Sequence, residues 1–136
     1  MQADAEVVVP FFDVDLMEVV WHGHYVKYLE IGRCALLDKL DYNYRQMSAS
    51  GYAWPVIDMQ LRYVRGAQLG QRLIVTADLV EWEHRLRINY LIRCAATGTR
   101  LTRATTVQVA VDLANGEMQF ASPPPLLDAV TRVLQS

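Results

Sequence analysis

The chain has 136 residues, 52% hydrophobic and 21% charged, with 13 Lys and Arg against 15 Asp and Glu for a net charge of −2. That length suits one core and is short for two ordinary domains, and the hydrophobic content excludes wholesale disorder. The near balance of charge lacks the strongly basic face of nucleic-acid binders, no apolar run reaches the roughly 18 to 20 residues that span a bilayer, and the acidic start MQADAEVVVP lacks a signal peptide's basic residues, so a cytoplasmic protein is expected.

EVVVPFF, residues 6 to 12, is rich in Val and Phe and reads as a first strand. From His24 to Leu40 the residues Tyr25, Tyr28, Leu29, Gly32, Leu36 and Leu40 recur at three and four, which predicts a helix with one buried stripe. Gly32 in its middle costs about 1 kcal/mol against Ala, so a close packing partner is expected there. Residues 41 to 52 are polar and aromatic and read as a connecting excursion. Beyond them the period becomes two: in residues 85 to 94, Leu86, Ile88, Tyr90, Ile92 and Cys94 alternate with Arg85, Arg87, Asn89, Leu91 and Arg93, a half-buried strand with one basic face. Further strands are expected at 55 to 65, 72 to 82, 100 to 113 and 117 to 121. Turns are expected at Glu83 and His84, at Thr97 and Gly98, and most strongly at Asn115 and Gly116. SPPPLLDAVTRVL opens with prolines and closes as a short amphipathic helix. Cys34 and Cys94 lie in apolar segments without metal-ligand spacing and read as reduced core residues.

Strand, long helix and antiparallel meander make an α+β pattern over a single domain, residues 1 to 136. A 17-residue helix is about 25 Å long at about 1.5 Å per residue, enough to cover one face of a curled sheet. The other face, or a sheet edge, is left for a second subunit, so a homo-oligomer is expected.

The densest chemistry lies between residues 13 and 25. Asp15 follows a strand, and His22 to Tyr25 stand where the long helix begins. Free N–H groups and partial positive charge at such a place can polarise a carbonyl and stabilise an oxyanion. A nearby carboxylate can activate water or attack the carbonyl itself. Read from residue types alone, Asp15 is equally a turn or capping acid, and His22 an orienting histidine whose side chain is dispensable. A metal site built from Asp13, Asp15, His22, His24 and His84 is disfavoured. Two residues apart on a helix, His22 and His24 point about 200° away from one another.

The string from Asp13 to Glu30, D-V-D-L-M-E-V-V-W-H-G-H-Y and then K-Y-L-E, resembles the signature of the 4-hydroxybenzoyl-CoA thioesterase and YbgC-like acyl-CoA thioesterases of the hotdog fold. The common form of that signature is D-T-D-x-x-G-V-V-Y-H-A-N-Y-x-x-Y-x-E. The resemblance implies a curled antiparallel sheet wrapped around one long central helix, assembled as a dimer or tetramer. It implies hydrolysis of an acyl thioester, with Asp15 as the catalytic carboxylate and His22 catalytic at the helix start. Val20, Trp21 and Tyr25 are implied to meet the substrate, while Asp13 and Glu30 take structural roles; apart from the resemblance, Arg65, near the end of the second strand, is the arginine best placed to meet the substrate. No metal or cofactor is implied, since CoA or phosphopantetheine arrives as part of the substrate. Glu18 stands where the family has Gly and His24 where Asn is usual, so the loop must tolerate a side chain and a changed backbone. H-G-H-Y also resembles a branch tied to aryl-polyene pigment pathways, which adds acyl carrier protein as a partner.

Arg62, Arg65, Arg85, Arg87, Arg93 and Arg103 could meet CoA phosphates, an acidic carrier or only solvent. Trp54, Trp82 and Tyr63 fit an acyl pocket or plain packing. Two rival functions stay open: a hotdog hydratase or dehydratase acting on enoyl or 3-hydroxyacyl thioesters, and a non-catalytic acyl-binding module.

Overall fold

The computed structural model describes residues 1–136. Strand β1 (Gln2–Val8) is followed by helix α1 (Tyr25–Lys39), helix α2 (Tyr44–Ala49), β2 (Tyr52–Ala53), β3 (Val56–Tyr63), β4 (Arg72–Glu81), β5 (Leu86–Cys94), β6 (Arg100–Gln108), β7 (Val111–Asp112) and helix α3 (Pro124–Leu134). The main sheet is antiparallel, in the order β1-β4-β5-β6-β3, so β1 and β3 are its edges; β2 and β7 form a separate ribbon. No helix is long and apolar enough to cross a membrane.

Helix α1 lies across β1 and β4. Its buried residues Tyr25, Tyr28, Leu29, Gly32 and Leu36 are those of the expected stripe, joined by Arg33 and Leu37. Gly32 is there because the sheet comes too near for a side chain: a Cβ at this position would stand 2.6 Å from Val75 Cγ1, and Val75 is itself fully buried. Gly32→Ala gains helix preference but overpacks the core, so a net loss of about 1 kcal/mol is expected in urea unfolding. Val75→Ala in the same chain should recover most of that loss; a Gly32→Ala protein more stable than wild type would show that Val75 moves aside freely.

Four expected elements are corrected. The first strand lies earlier, over Gln2–Val8, because Pro10 has no N–H for a ladder and Phe11–Asp13 turn into a single 3-10 turn with Phe11 and Phe12 exposed. The excursion at 41 to 52 holds α2, whose start is a capping box: Tyr44 N–H donates to Asn43 Oδ1 at 2.8 Å and Asn43 N–H donates to Gln46 Oε1 at 3.0 Å. The strand expected over 100 to 113 divides. β6 stops at Gln108, whose side-chain amide donates to the Trp54 carbonyl at 2.7 Å, and after two buried residues the chain pairs with β2 instead. Residues 117 to 121 contribute one bridge, Met118 to Val111, rather than a strand. The turn at Asn115 and Gly116 forms as expected, with Gly116 at φ 73°.

In β5 the residues Leu86, Ile88, Tyr90 and Ile92 are buried and Arg87, Asn89, Leu91 and Arg93 face outward, as their alternation requires. Cys94 is buried, Cys34 half-buried, and both are free thiols.

Candidate active site

The segment between β1 and α1 folds into a small antiparallel loop. Trp21 N–H donates to the Asp13 carbonyl at 3.1 Å, Val14 bridges Val20, and Asp15 N–H donates to the Val19 carbonyl at 2.9 Å. Asp15 closes the tip: its Oδ1 accepts from Met17 N–H at 2.8 Å and Val19 N–H at 3.3 Å, leaving Oδ2 without a partner on an exposed side chain. Leu16 and Met17, at the tip, are almost wholly exposed.

Glu18, where glycine was the residue expected from the motif, keeps the left-handed backbone that glycine favours, at φ 61°, fixed by Leu69 N–H donating to its carbonyl at 3.0 Å. The loop has therefore accepted a side chain in glycine's conformation. That conformation costs a non-glycine residue roughly 1 to 2 kcal/mol, partly offset because glycine loses more freedom on folding. Glu18→Gly is expected to raise the melting temperature by about 3 °C, as read by thermal unfolding; a fall would mean the Glu18 side chain stabilises the loop.

The helix start is a 3-10 turn, His22–His24, leading directly into α1. His24 N–H donates to the Trp21 carbonyl, whereas the N–H groups of His22 and Gly23 have no acceptor in the chain. The Trp21 ring lies over this turn, 4.8 Å from the His22 ring, and a Cβ on Gly23 would stand 2.0 Å from it. Glycine at 23 is thus what makes room for the indole against the helix start.

The loop after β3 forms the other wall. Tyr63 Oη donates to the His22 carbonyl at 2.9 Å, and Ala67 N–H donates to Tyr25 Oη at 2.9 Å. Val20 N–H donates to the Ala67 carbonyl, and Val19 bridges Gln68. Burial pushes the Tyr25 phenol above its usual range, only partly opposed by the Ala67 N–H. The side chains of Val20 and Tyr25 sit in the core; Trp21, His22 and Tyr63 are exposed, as is Arg65 after β3. Sequence reading placed Tyr63 among aromatics that fit an acyl pocket or plain packing, without linking it to the helix start. The signal that could have placed it is the glycine pair after it, Gly66 and Gly70, which marks a loop approaching closely: a Cβ on Gly66 would stand 2.7 Å from Val19 Cγ1.

Asp13 is buried beneath the turn. Its carboxylate accepts from Lys27 Nζ at 2.6 Å and Tyr28 Oη at 2.7 Å, with His24 Nδ1 at 3.7 Å. Burial pushes the carboxyl upward, but the Lys27 and Tyr28 hydrogen bonds and the nearby cations together hold it below its usual range. Burial and the Asp13 charge in turn raise the Tyr28 phenol. His24 thus turns toward Asp13 while His22 stacks toward Trp21 and Tyr63. Further along α1, Glu30 pairs with the fully buried Arg33, whose guanidinium also donates to Tyr44 Oη at 3.0 Å. An apolar cavity of about 420 Å³ opens between α2 and the β2–β7 ribbon, lined by Tyr44, Met47, Tyr52, Trp54, Val111 and Leu113 among others.

A curled antiparallel sheet with one long helix laid across it is the hotdog arrangement. The chain belongs to the thioesterase-like superfamily, whose family model matches residues 9–133, and it is by class a thioester hydrolase. It is 30% identical over 118 residues to sll0410 of Synechocystis sp., a protein to which an esterase activity is ascribed, covering 86% of this chain and 71% of that one. Among solved structures it is similar to Slr0204, a 1,4-dihydroxy-2-naphthoyl-CoA thioesterase from Synechocystis (TM-score 0.85, 22% identity, 96% of each chain). It is also similar to SAV2348 from Staphylococcus aureus in complex with CoA (TM-score 0.86, 11% identity, 99% of this chain and 85% of that one). At these identities the two structures speak for the fold.

Proposed function

We propose that the protein hydrolyses an acyl-CoA or carrier-linked thioester, with Asp15 as the carboxylate that activates water or attacks the carbonyl. The N–H groups of His22 and Gly23 receive the oxyanion. The observation that carries this reading is the pairing of an Asp15 oxygen free of partners with two backbone donors free of acceptors, on one short antiparallel loop. Three ladder positions separate the residue facing Asp15 from His22, so their backbones lie about 10 Å apart at roughly 3.3 Å per residue. The Asp15 side chain, a water and a thioester group fill that span. Carboxylate and preorganised donors supply both attack and charge stabilisation, so no cofactor is needed beyond what the substrate carries. Trp21 shapes the approach to the donors, while Val20 and Tyr25 hold the walls in place and Arg65 lies at the rim. The imidazole of His22 flanks the carbonyl.

An oligomer fits the same geometry. β3 is a free edge with Val56, Ile57 and Tyr63 exposed, followed by exposed Val64. Antiparallel pairing of β3 with its copy would extend the sheet to about ten strands and cover these residues. It would also carry the partner's apolar cavity toward the Asp15 end, where it can take an apolar acyl or aryl group; a pair of such dimers gives the tetramer. A CoA or carrier-protein substrate and two free thiols agree with the cytoplasm. The test is release of free thiol from short, long and aromatic acyl-CoA substrates and from acyl carrier protein. Turnover on any of them supports the reading. A change in double-bond absorbance without thiol release would put a hydratase in its place, and silence on every substrate would leave a binding module.

A further inference from the structure

The His22–Gly23 peptide supplies one of the two free donors, and its orientation depends on a residue far away in the chain. Trp21 to His24 form a four-residue turn closed by His24 N–H donating to the Trp21 carbonyl at 3.0 Å. That bond ties the peptides on either side and leaves the middle one, His22–Gly23, two orientations to choose from. Turns of this length have two forms that differ by rotating the middle peptide through about 180°, and the rotated form requires a positive φ at the third residue, where glycine is favoured. Gly23 occupies that third position. The glycine that makes room for the Trp21 ring therefore also gives the peptide freedom to turn over.

The chain takes the unrotated form: His22–His24 is a 3-10 turn, and Gly23 does not have a positive φ. In this form the N–H groups of His22 and Gly23 point the same way, as at any helix start, and the His22 carbonyl points the other way. The hydroxyl of Tyr63 meets that carbonyl at 2.9 Å. Rotation would take the carbonyl off this hydroxyl and turn the Gly23 N–H away from that of His22. Tyr63 itself has little freedom. It ends β3 opposite Thr102 of β6, and its ring makes a T-shaped contact, 5.1 Å between centroids, with the buried ring of Tyr25. The N–H groups of Val64 and Arg65, next in the chain, both donate to the Leu101 carbonyl, at 2.9 and 3.0 Å. A phenol has one proton to donate, and here it goes to the peptide, so it is not available to a substrate.

We propose that Tyr63 is a positioning residue for catalysis. Its hydroxyl holds the His22–Gly23 peptide in the orientation that keeps the two N–H donors side by side, and by donating to the carbonyl it polarises the same peptide and makes the Gly23 N–H a stronger donor. This rests on the thioesterase reading for what the donors do, but the bond itself is tested without substrate. Labelling the histidine carbonyl carbon with 13C and the glycine nitrogen with 15N singles out this peptide by NMR, since no other histidine precedes a glycine. Tyr63→Phe keeps the ring and loses the hydroxyl. In the full-length variant both signals of the peptide are expected to move upfield as it loses polarisation. The kcat for thiol release should fall about tenfold, with KM within about twofold of the wild type. That loss is smaller than the roughly 100-fold or more that follows removal of an oxyanion donor, because the donor stays and only its hold is weakened. Unmoved signals overturn the proposal, as do moved signals with kcat and KM unchanged, which would leave the bond to the fold alone. A raised KM at unchanged kcat also overturns it and would make Tyr63 a wall of the substrate site. A wild type that releases no thiol from any substrate would remove the hydrolase reading, while upfield signals in the variant would still keep Tyr63 as the holder of the peptide.

Discussion

Asp15→Asn is expected to lower kcat for thiol release at least about 100-fold while leaving the protein folded with an unchanged melting temperature. The substitution is informative because of how Asp15 is held. One carboxylate oxygen accepts the N–H groups of Met17 and Val19 and closes the loop; the other is free. An asparagine can place its amide oxygen where Oδ1 stands, so the loop and the exposed Leu16–Met17 tip keep their shape. What disappears is the negative charge and with it any capacity to take a proton from water or to attack a carbonyl carbon. Asp15→Ala serves as the contrast. It removes the same chemistry and also the two loop hydrogen bonds, so it should lose about 1 kcal/mol of stability besides activity. Measured side by side, the pair separates the two roles this residue can hold. If Asp15→Asn turns over like the wild type and Asp15→Ala is merely less stable, Asp15 is a turn acid and the catalytic carboxylate lies elsewhere.

The competing roles of Asp13 and Asp15 show where sequence reading stops. Both acids are of one type, two residues apart, and nothing in their local pattern says that one is buried and the other exposed. That difference comes from contacts 14 and 15 residues away, Lys27 and Tyr28 reaching back from α1. The long helix itself was legible because its buried stripe is periodic over four turns, and β5 because its alternation runs unbroken through nine residues. Helix α2 was not, since six residues with Met47 alone buried carry no period; only the Asn43 and Gln46 pair announced it. The break after Gln108 was hidden by an unbroken alternation, Val107, Val109, Val111 and Leu113, that reads as one strand whichever sheet it joins. The start of β1 was hidden for the opposite reason. Ala3 and Ala5 face α1, and a strand under a close helix needs small residues, which carry little strand signal. The bond from Tyr63 to the His22 carbonyl could not be seen at all, since its partners lie 41 positions apart.

Asp13→Asn is expected to cost about 2 kcal/mol of stability at pH 7, with a loss of activity well short of that for Asp15→Asn. Removing one partner of a buried ion pair costs roughly 3 to 5 kcal/mol, and the figure is reduced here because Lys27 is half exposed and can return to water. The sign of the pH dependence follows from the direction of the shift. Asp13 is held below its usual range in the folded protein, so its contribution is fully present above the unfolded carboxyl range and is lost as pH falls through the folded value. The wild type and Asp13→Asn should therefore differ most in urea unfolding near pH 7, begin to converge as the pH falls below the unfolded carboxyl range, and meet only below the lower folded value. A gap that stayed constant from pH 7 to pH 3 would show that the loss arises from packing of the amide and not from the charge. Activity should respond only through position. Asp13 fixes Lys27, Tyr28 and, through its backbone carbonyl, Trp21, so loosening it shifts the indole that packs against Gly23 at the helix start. A change of that kind belongs mainly in KM, because Asp15 and the two donors remain in place, whereas loss of the reacting carboxylate belongs in kcat.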